Sequence, residues 1–136
     1  MLARPSVLVE RILGAVIEVH RAIGPGLLES AYDECTAHEL TAQGLGFRRQ
    51  VPVPLIYRGV KMPCAYRADF VVEHEVLLEI KSLERLQPIH QAQVLTYLRL
   101  LGLPQGIILN FNTRRLTDGI KNVLLSTPLP DGEHVV

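Results

Sequence analysis

"AYRADFVVEHEVLLEIKSL", residues 65–83, is the stretch on which the fold turns. Two runs rich in β-branched and aromatic residues, 65–72 and 76–83, flank Glu73, His74 and Glu75, which reads as two antiparallel strands joined by a short loop. Loop length sets the register. With residues 73–75 as the loop, Val72 faces Val76, Phe70 faces Leu78 and Asp69 comes opposite Glu79. A loop one residue shorter sets Asp69 against Ile80 and mixes charge into the apolar face, so the hydrophobic pattern selects the first arrangement.

That register has a chemical consequence. Glu79 and Lys81 lie two apart and share a strand face. Carboxylates facing each other at roughly 4.5–5.5 Å between Cβ atoms repel unless something positive lies between them. One account is structural, a salt-bridge cluster with Lys81 or Arg67. The other is a hard divalent cation, and Mg²⁺ is satisfied by one or two carboxylates plus water.

Downstream, "IHQAQVLTYLRLLG" after Pro88 has helical spacing, with Val94, Leu95, Leu98 and Leu101 inward. Gln93 and Tyr97, four apart, lie on one face of it. A glutamine can orient water or hold a phosphate, and a tyrosine hydroxyl can contact phosphate; the structural alternative is a surface glutamine over a half-buried tyrosine. "GIILNF", residues 106–111, reads as a short apolar strand and suits the middle of a sheet. Residues 120–125 read as a strand or a short helix, and 127–136 as a flexible tail.

Upstream, "QVPVPLIY", residues 50–57, is extended, but Pro52 and Pro54 confine it to an edge. Arg58-Gly59 signals a turn. Residues 6–22 form an amphipathic helix that Gly24-Pro25-Gly26 stops. A second helix spans about 27–43, with Leu28, Ala31, Tyr32 and Cys35 on one stripe, and Gly44 and Gly46 end it. Glu29 falls in its first turn, where any carboxylate gains roughly 0.3–1 kcal/mol from the helix dipole. The same helix end could instead bring a third carboxylate to a metal, with Tyr32 one turn on. The order α-α-β-β-β-α-β is that of an α/β (α+β) fold, a mixed β-sheet flanked by helices, with one domain over residues 1–126.

Composition narrows the function classes. A hydrophobic share of 48% with 21% charged residues over 136 residues supports one packed domain and argues against disorder. Basic and acidic residues, 14 of each, cancel, so a nucleic-acid partner must be gripped by a local patch. Arg48, Arg49, Arg67, Arg114 and Arg115 are candidates for phosphate contacts. Cys35 and Cys64 lie far apart with no CxxC or HExxH motif, which leaves the common zinc signatures out and makes a reducing cytoplasm the default compartment. Glu10, Arg11, Glu18, His20 and Arg21 interrupt the N-terminal apolar run, so neither a signal peptide nor a membrane span is readable. His20, near the Gly24 turn, either faces a cleft or packs as a hydrogen-bonded histidine; packing is the commoner role.

Two stretches resemble a known family. "VHRAIGPGLLESAYDECTAHEL" closely resembles the signature of the GxxExxY protein family, with Gly26, Glu29 and Tyr32 at the named positions. "YRADFVVEHEVLLEIKSLERLQPIHQAQVLTYLRLLGLPQGIILNF" continues the likeness, which covers residues 8 to 125. That family is similar to the PD-(D/E)XK nuclease superfamily. The resemblance implies a restriction-endonuclease-like sheet and a nuclease site in which Asp69 and Glu79 bind Mg²⁺ or Mn²⁺ and Lys81 supports the attacking water. It further implies that Glu29 is the helix-borne acid and that Gln93 and Tyr97 form a QxxxY motif. Ala68 stands where the superfamily name has proline. The implied substrate is nucleic acid, DNA before RNA. A chain this short has little room for a recognition domain, so specificity would come from a homodimer or a partner protein. Two other readings stay open: a catalytically silent binding module on the same scaffold, and an interaction protein whose acids form an ion-pair network.

Overall fold

The computed structural model describes residues 6–125; the tail expected at 127–136 lies outside the described residues. Ser6 opens the first helix, α1 (Val7–Ile23), by accepting the Val9 N–H with its hydroxyl at 3.1 Å. Val9, Ile12, Ala15, Val16 and Val19 form its buried stripe, and Gly24, with φ of 69°, ends it. Helix α2 (Glu29–Ala42) starts later than the glycines suggest. Leu28 stands outside it in extended backbone and is 78% exposed. Its buried residues are Tyr32, Asp33, Thr36, Ala37 and Leu40. Of the expected stripe Tyr32 is buried and Cys35 packs partly against the core, whereas Leu28 lies outside and Ala31 is only half-buried. The Tyr32 hydroxyl is tied into the preceding loop.

The sheet has five strands in the order β1-β4-β5-β6-β7: β1 (Phe47–Val53), β4 (Tyr66–Val72), β5 (Val76–Lys81), β6 (Gln105–Asn110) and β7 (Ile120–Leu124). Only β5 and β6 run parallel, joined by the crossover helix α3 (Pro88–Leu101). Gly102, in left-handed backbone, stops α3. The mixed sheet with flanking helices is the α+β, restriction-endonuclease-like architecture expected. The apolar strand β6 is interior and the proline-bearing β1 is an edge.

Two details differ from the sequence reading. The extended run expected over 50–57 is split: β1 ends before Pro54, and β2 (Ile56–Tyr57) and β3 (Val60–Lys61) make a separate small hairpin about Arg58-Gly59. Proline lacks the N–H that would carry the ladder on. Residues 120–124 are a strand, entered from a 3-10 turn over Leu116–Gly119.

Alternation along the strands builds two cores. Phe70, Val72, Val76, Leu78, Ile80, Ile107 and Leu109 pack against α1 and α2. Val71, Leu77, Ile108 and Val123 pack against Val94, Leu95 and Leu98 of α3. At one crossing the alternation breaks. Phe47 and Arg49 lie on the α1/α2 side but Val51 and Val53 on the α3 side, while Phe70 and Ala68 divide in the same way. Gln50, with φ of 50°, is the turning point on β1, and Asp69 is the residue opposite it.

Candidate active site

At this crossing the sheet opens. The β4–β5 ladder pairs Val72 with Val76, Val71 with Leu77 and Phe70 with Leu78, as the loop argument requires. It does not continue to Asp69 and Glu79. The β1–β4 ladder likewise passes from Arg49–Phe70 to Val51–Ala68 without a Gln50–Asp69 pair. Side chains fill the opening instead. A Glu79 carboxylate oxygen accepts the Asp69 N–H at 3.0 Å, and an Asp69 carboxylate oxygen accepts the Ile80 N–H at 2.7 Å. The acids therefore do not face each other across a regular ladder, as first expected, but reach into a fork between two parting strands.

The fork is electrostatically loaded. Glu79 is 5% exposed, and burial, then the nearby Asp69, pushes its carboxyl up to about 8. Burial also raises Asp69, against the Ile80 N–H and with help from Asp33. Tyr97 is raised by burial and by Glu79. Among the described residues, neither Asp69 nor Glu79 forms a salt bridge, so the alternative of an ion-pair cluster with Lys81 or Arg67 does not form.

Lys81 ends β5, half-buried and without an ion-pair partner among the described residues. Its position is locked by β6. Asn110, the register partner of Lys81, accepts the Leu83 N–H at 3.0 Å and donates its amide to the Leu83 carbonyl at 3.1 Å. The Phe111 N–H bonds the Lys81 carbonyl at 2.9 Å. On α3, Gln93 donates to the Tyr97 hydroxyl at 3.2 Å, and both line a groove with Lys81.

Glu29 approaches from the opposite side. It accepts the Ser82 N–H at 3.4 Å, while the Ser82 hydroxyl donates to the Leu27 carbonyl at 2.6 Å. Tyr32 fixes this loop: its hydroxyl donates to the Gly24 carbonyl at 2.6 Å and accepts the Leu27 N–H at 3.2 Å. Its ring stacks on Phe111 at 4.4 Å between centroids. Glu29, Asp33, Asp69, Arg49 and Gln50 line one cleft.

The arginines separate. Arg49 binds Asp33 and, at 2.9 Å, Glu34; these bonds raise its pKa and leave its guanidinium committed. Arg48, on the edge strand β1, and Arg67, on β4 beside it, are exposed. Arg114 lines a different cleft with Arg21, Arg115 and His20. His20 bonds the Thr113 carbonyl at 2.8 Å and is buried, so it holds a loop rather than facing the fork. Asp33 and Asn110 escaped the sequence reading. Asp33 lies four residues after Glu29, a helical spacing that marks it as a neighbour. Asn110 closes the apolar run "GIIL", a polar residue where the strand ends.

Among the described residues no three His, Cys, Asp or Glu side chains stand close enough together to hold a metal ion. The donor set nevertheless fits a hard cation. Asp69 and Glu79 are adjacent oxygen donors, the first half-buried and the second buried, without a salt-bridge partner among the described residues, each with only one oxygen committed to a backbone N–H. Two carboxylates completed by water and a phosphate is the coordination Mg²⁺ favours. Glu29 stands outside that pair.

No helix among the described residues is long and apolar enough to cross a membrane. Among known families, the model of the PD-(D/E)XK nuclease superfamily matches residues 6–123, a span that contains the fork, α2 and α3. No curated protein and no solved structure matches the chain.

Proposed function

Because the chain belongs to the PD-(D/E)XK nuclease superfamily, we propose that it is a nuclease that hydrolyses phosphodiester bonds, DNA before RNA, with Mg²⁺ or Mn²⁺. Gly26, Glu29 and Tyr32 support its assignment to the GxxExxY branch. One observation carries the reading. Two carboxyl groups, Glu79 buried and Asp69 half-buried, sit in an open fork with no basic side chain bonded to them among the described residues, and Lys81 follows two residues after Glu79. A fold does not keep such a costly arrangement for packing.

In this reading Asp69 and Glu79 hold the cation, and Glu29 acts from α2 through water. The cation, when bound, polarises the phosphodiester and lowers the pKa of a water. Lys81 orients the attacking water and opposes charge developing on the phosphoryl oxygens. Gln93 and Tyr97, linked by their hydrogen bond, position the scissile strand.

The test is cleavage of single- and double-stranded DNA and RNA in Mg²⁺ or Mn²⁺ by the wild type and by Lys81→Ala. Cleavage that requires the metal and falls at least about 100-fold in the variant supports the proposal; equal rates remove it. The alternative of a silent binding module draws on Glu29 standing apart from the other two acids. It predicts metal binding without cleavage of any strand type.

A further inference from the structure

Across the fork from the acidic cleft lies a groove of about 510 Å³, bounded by α3 and by the arm that carries β2 and β3. We propose that it seats an unpaired nucleobase, so that the chain acts on single-stranded or frayed nucleic acid. The inference rests on the nuclease reading for its direction and on the groove's own chemistry for its content.

The two sides of the fork differ in kind. The cleft of about 350 Å³ is lined by Glu29, Asp33, Glu34 and Asp69 around Arg49. The groove has no acid. Its walls are Leu55, Tyr66, Ile89 and Leu100, and its polar groups are Lys81, His90, Gln93 and the hydroxyls of Thr96 and Tyr97. Apolar and aromatic walls with a few amide and imidazole groups suit a flat heterocycle with polar edges. The size is within the range of pockets that hold such ligands. His90 adds a fixed donor. Its Nδ1 accepts the Gln87 N–H at 2.8 Å, which leaves Nε2 to carry the proton in the neutral ring.

Charge complementarity points the same way. Residues 40–68 contain no aspartate or glutamate, and with Arg49 committed to Asp33 and Glu34 they leave Arg48, Arg58, Lys61 and Arg67. The neutral chain thus concentrates basic residues in the segment that walls the groove, where a polyanion can be held. Outside the groove Tyr57 is 57% exposed, with the Arg58 guanidinium 5.5 Å from its ring centre. Tyr66 is 44% exposed and Ile89 68%. Exposed aromatic faces interleaved with arginine are what successive bases stack on. A base inside a duplex can enter only after it is unstacked and unpaired, a cost that a single strand does not carry.

The experiment uses the full chain in EDTA, so that binding is read without cleavage. Fluorescence anisotropy compares four probes of about 12 nucleotides: single-stranded DNA, single-stranded RNA, a blunt duplex, and a backbone of abasic units. The proteins are wild type, Tyr66→Ala and Tyr66→Phe. Expected are tighter binding of single strands than of the duplex, a loss of at least about five-fold in Tyr66→Ala, and near wild-type binding in Tyr66→Phe. On the abasic backbone wild type and Tyr66→Ala should bind alike. Equal affinity for duplex and single strand, or an equal loss by Tyr66→Ala on the abasic backbone, overturns the proposal. So does a change of oligomeric state in Tyr66→Ala by light scattering, which would make a second copy of the chain the occupant. The two readings fail separately. Base-dependent binding without cleavage in Mn²⁺ discards the nuclease, whereas cleavage indifferent to Tyr66→Ala discards the groove.

Discussion

The Glu79 carboxylate accepts the amide of Asp69, and the Asp69 carboxylate accepts the amide beside Glu79, that of Ile80. Each acid thus holds the other's strand where the ladder fails. Amide replacements keep an acceptor oxygen and remove the charge. Asp69→Asn should therefore fold with unchanged or slightly higher stability in EDTA and yet lose metal-dependent cleavage. Thermal unfolding and a nuclease assay on the same preparation check both halves.

Metal should stabilise the wild type. A ligand that binds only the folded state at about 100 times its Kd contributes roughly 2.7 kcal/mol. The melting temperature should rise with Mn²⁺ or Mg²⁺ in the wild type and stay fixed in Asp69→Asn. A wild type indifferent to both ions would remove the metal from the scheme.

The pH dependence has a definite sign. Glu79 in the folded protein is raised from an ordinary 4.5 to about 8, so the folded state binds its proton more tightly than the unfolded chain. That contribution is complete below about pH 4.5 and is lost as pH rises toward 8. Metal-free protein should become less stable over this window. Glu79→Gln should flatten the slope, and unfolding curves in EDTA between these limits decide it.

Tyr32→Phe leaves the Gly24 carbonyl and the Leu27 N–H without their partner. Unpaired groups of this kind cost about 1–3 kcal/mol, read as a shift of the denaturant midpoint. Because Leu27 also receives the Ser82 hydroxyl, cleavage should fall as well, with Glu29 less well held.

Gly119→Ala tests the support under Lys81. A Cβ there would stand 2.2 Å from the Asn110 carbonyl oxygen, which is backbone and cannot swing away. Overpacking of this order costs about 1–3 kcal/mol. Since Asn110 holds Leu83 on both sides, activity should drop more than stability alone explains.

Much of this was legible in the sequence. The spacing of Val72, Phe70, Val76 and Leu78 fixed the hairpin register, and the prolines at 52 and 54 marked an edge. Lys81, Gln93 and Tyr97 do meet at one groove. What escaped depends on backbone conformation rather than residue type. Gln50 adopts positive φ without being glycine, and nothing in its identity announces that the strands part there. The pairing of Arg49 with Asp33 is a contact between distant segments, invisible to local periodicity. Leu28 misled because an apolar residue beside a helix start reads as part of its stripe, although it stands outside the helix.

The reversal at Gln50 and Asp69 has a wider meaning. Beyond that crossing, residues 51–68 leave the sheet's original orientation, carry the small hairpin, and return beside the point of departure. They form an arm whose base, Val51, Val53 and Ala68, is packed into the core on α3. Exchanging the arm's outer sequence for another would change what is gripped and leave the two acids where they stand.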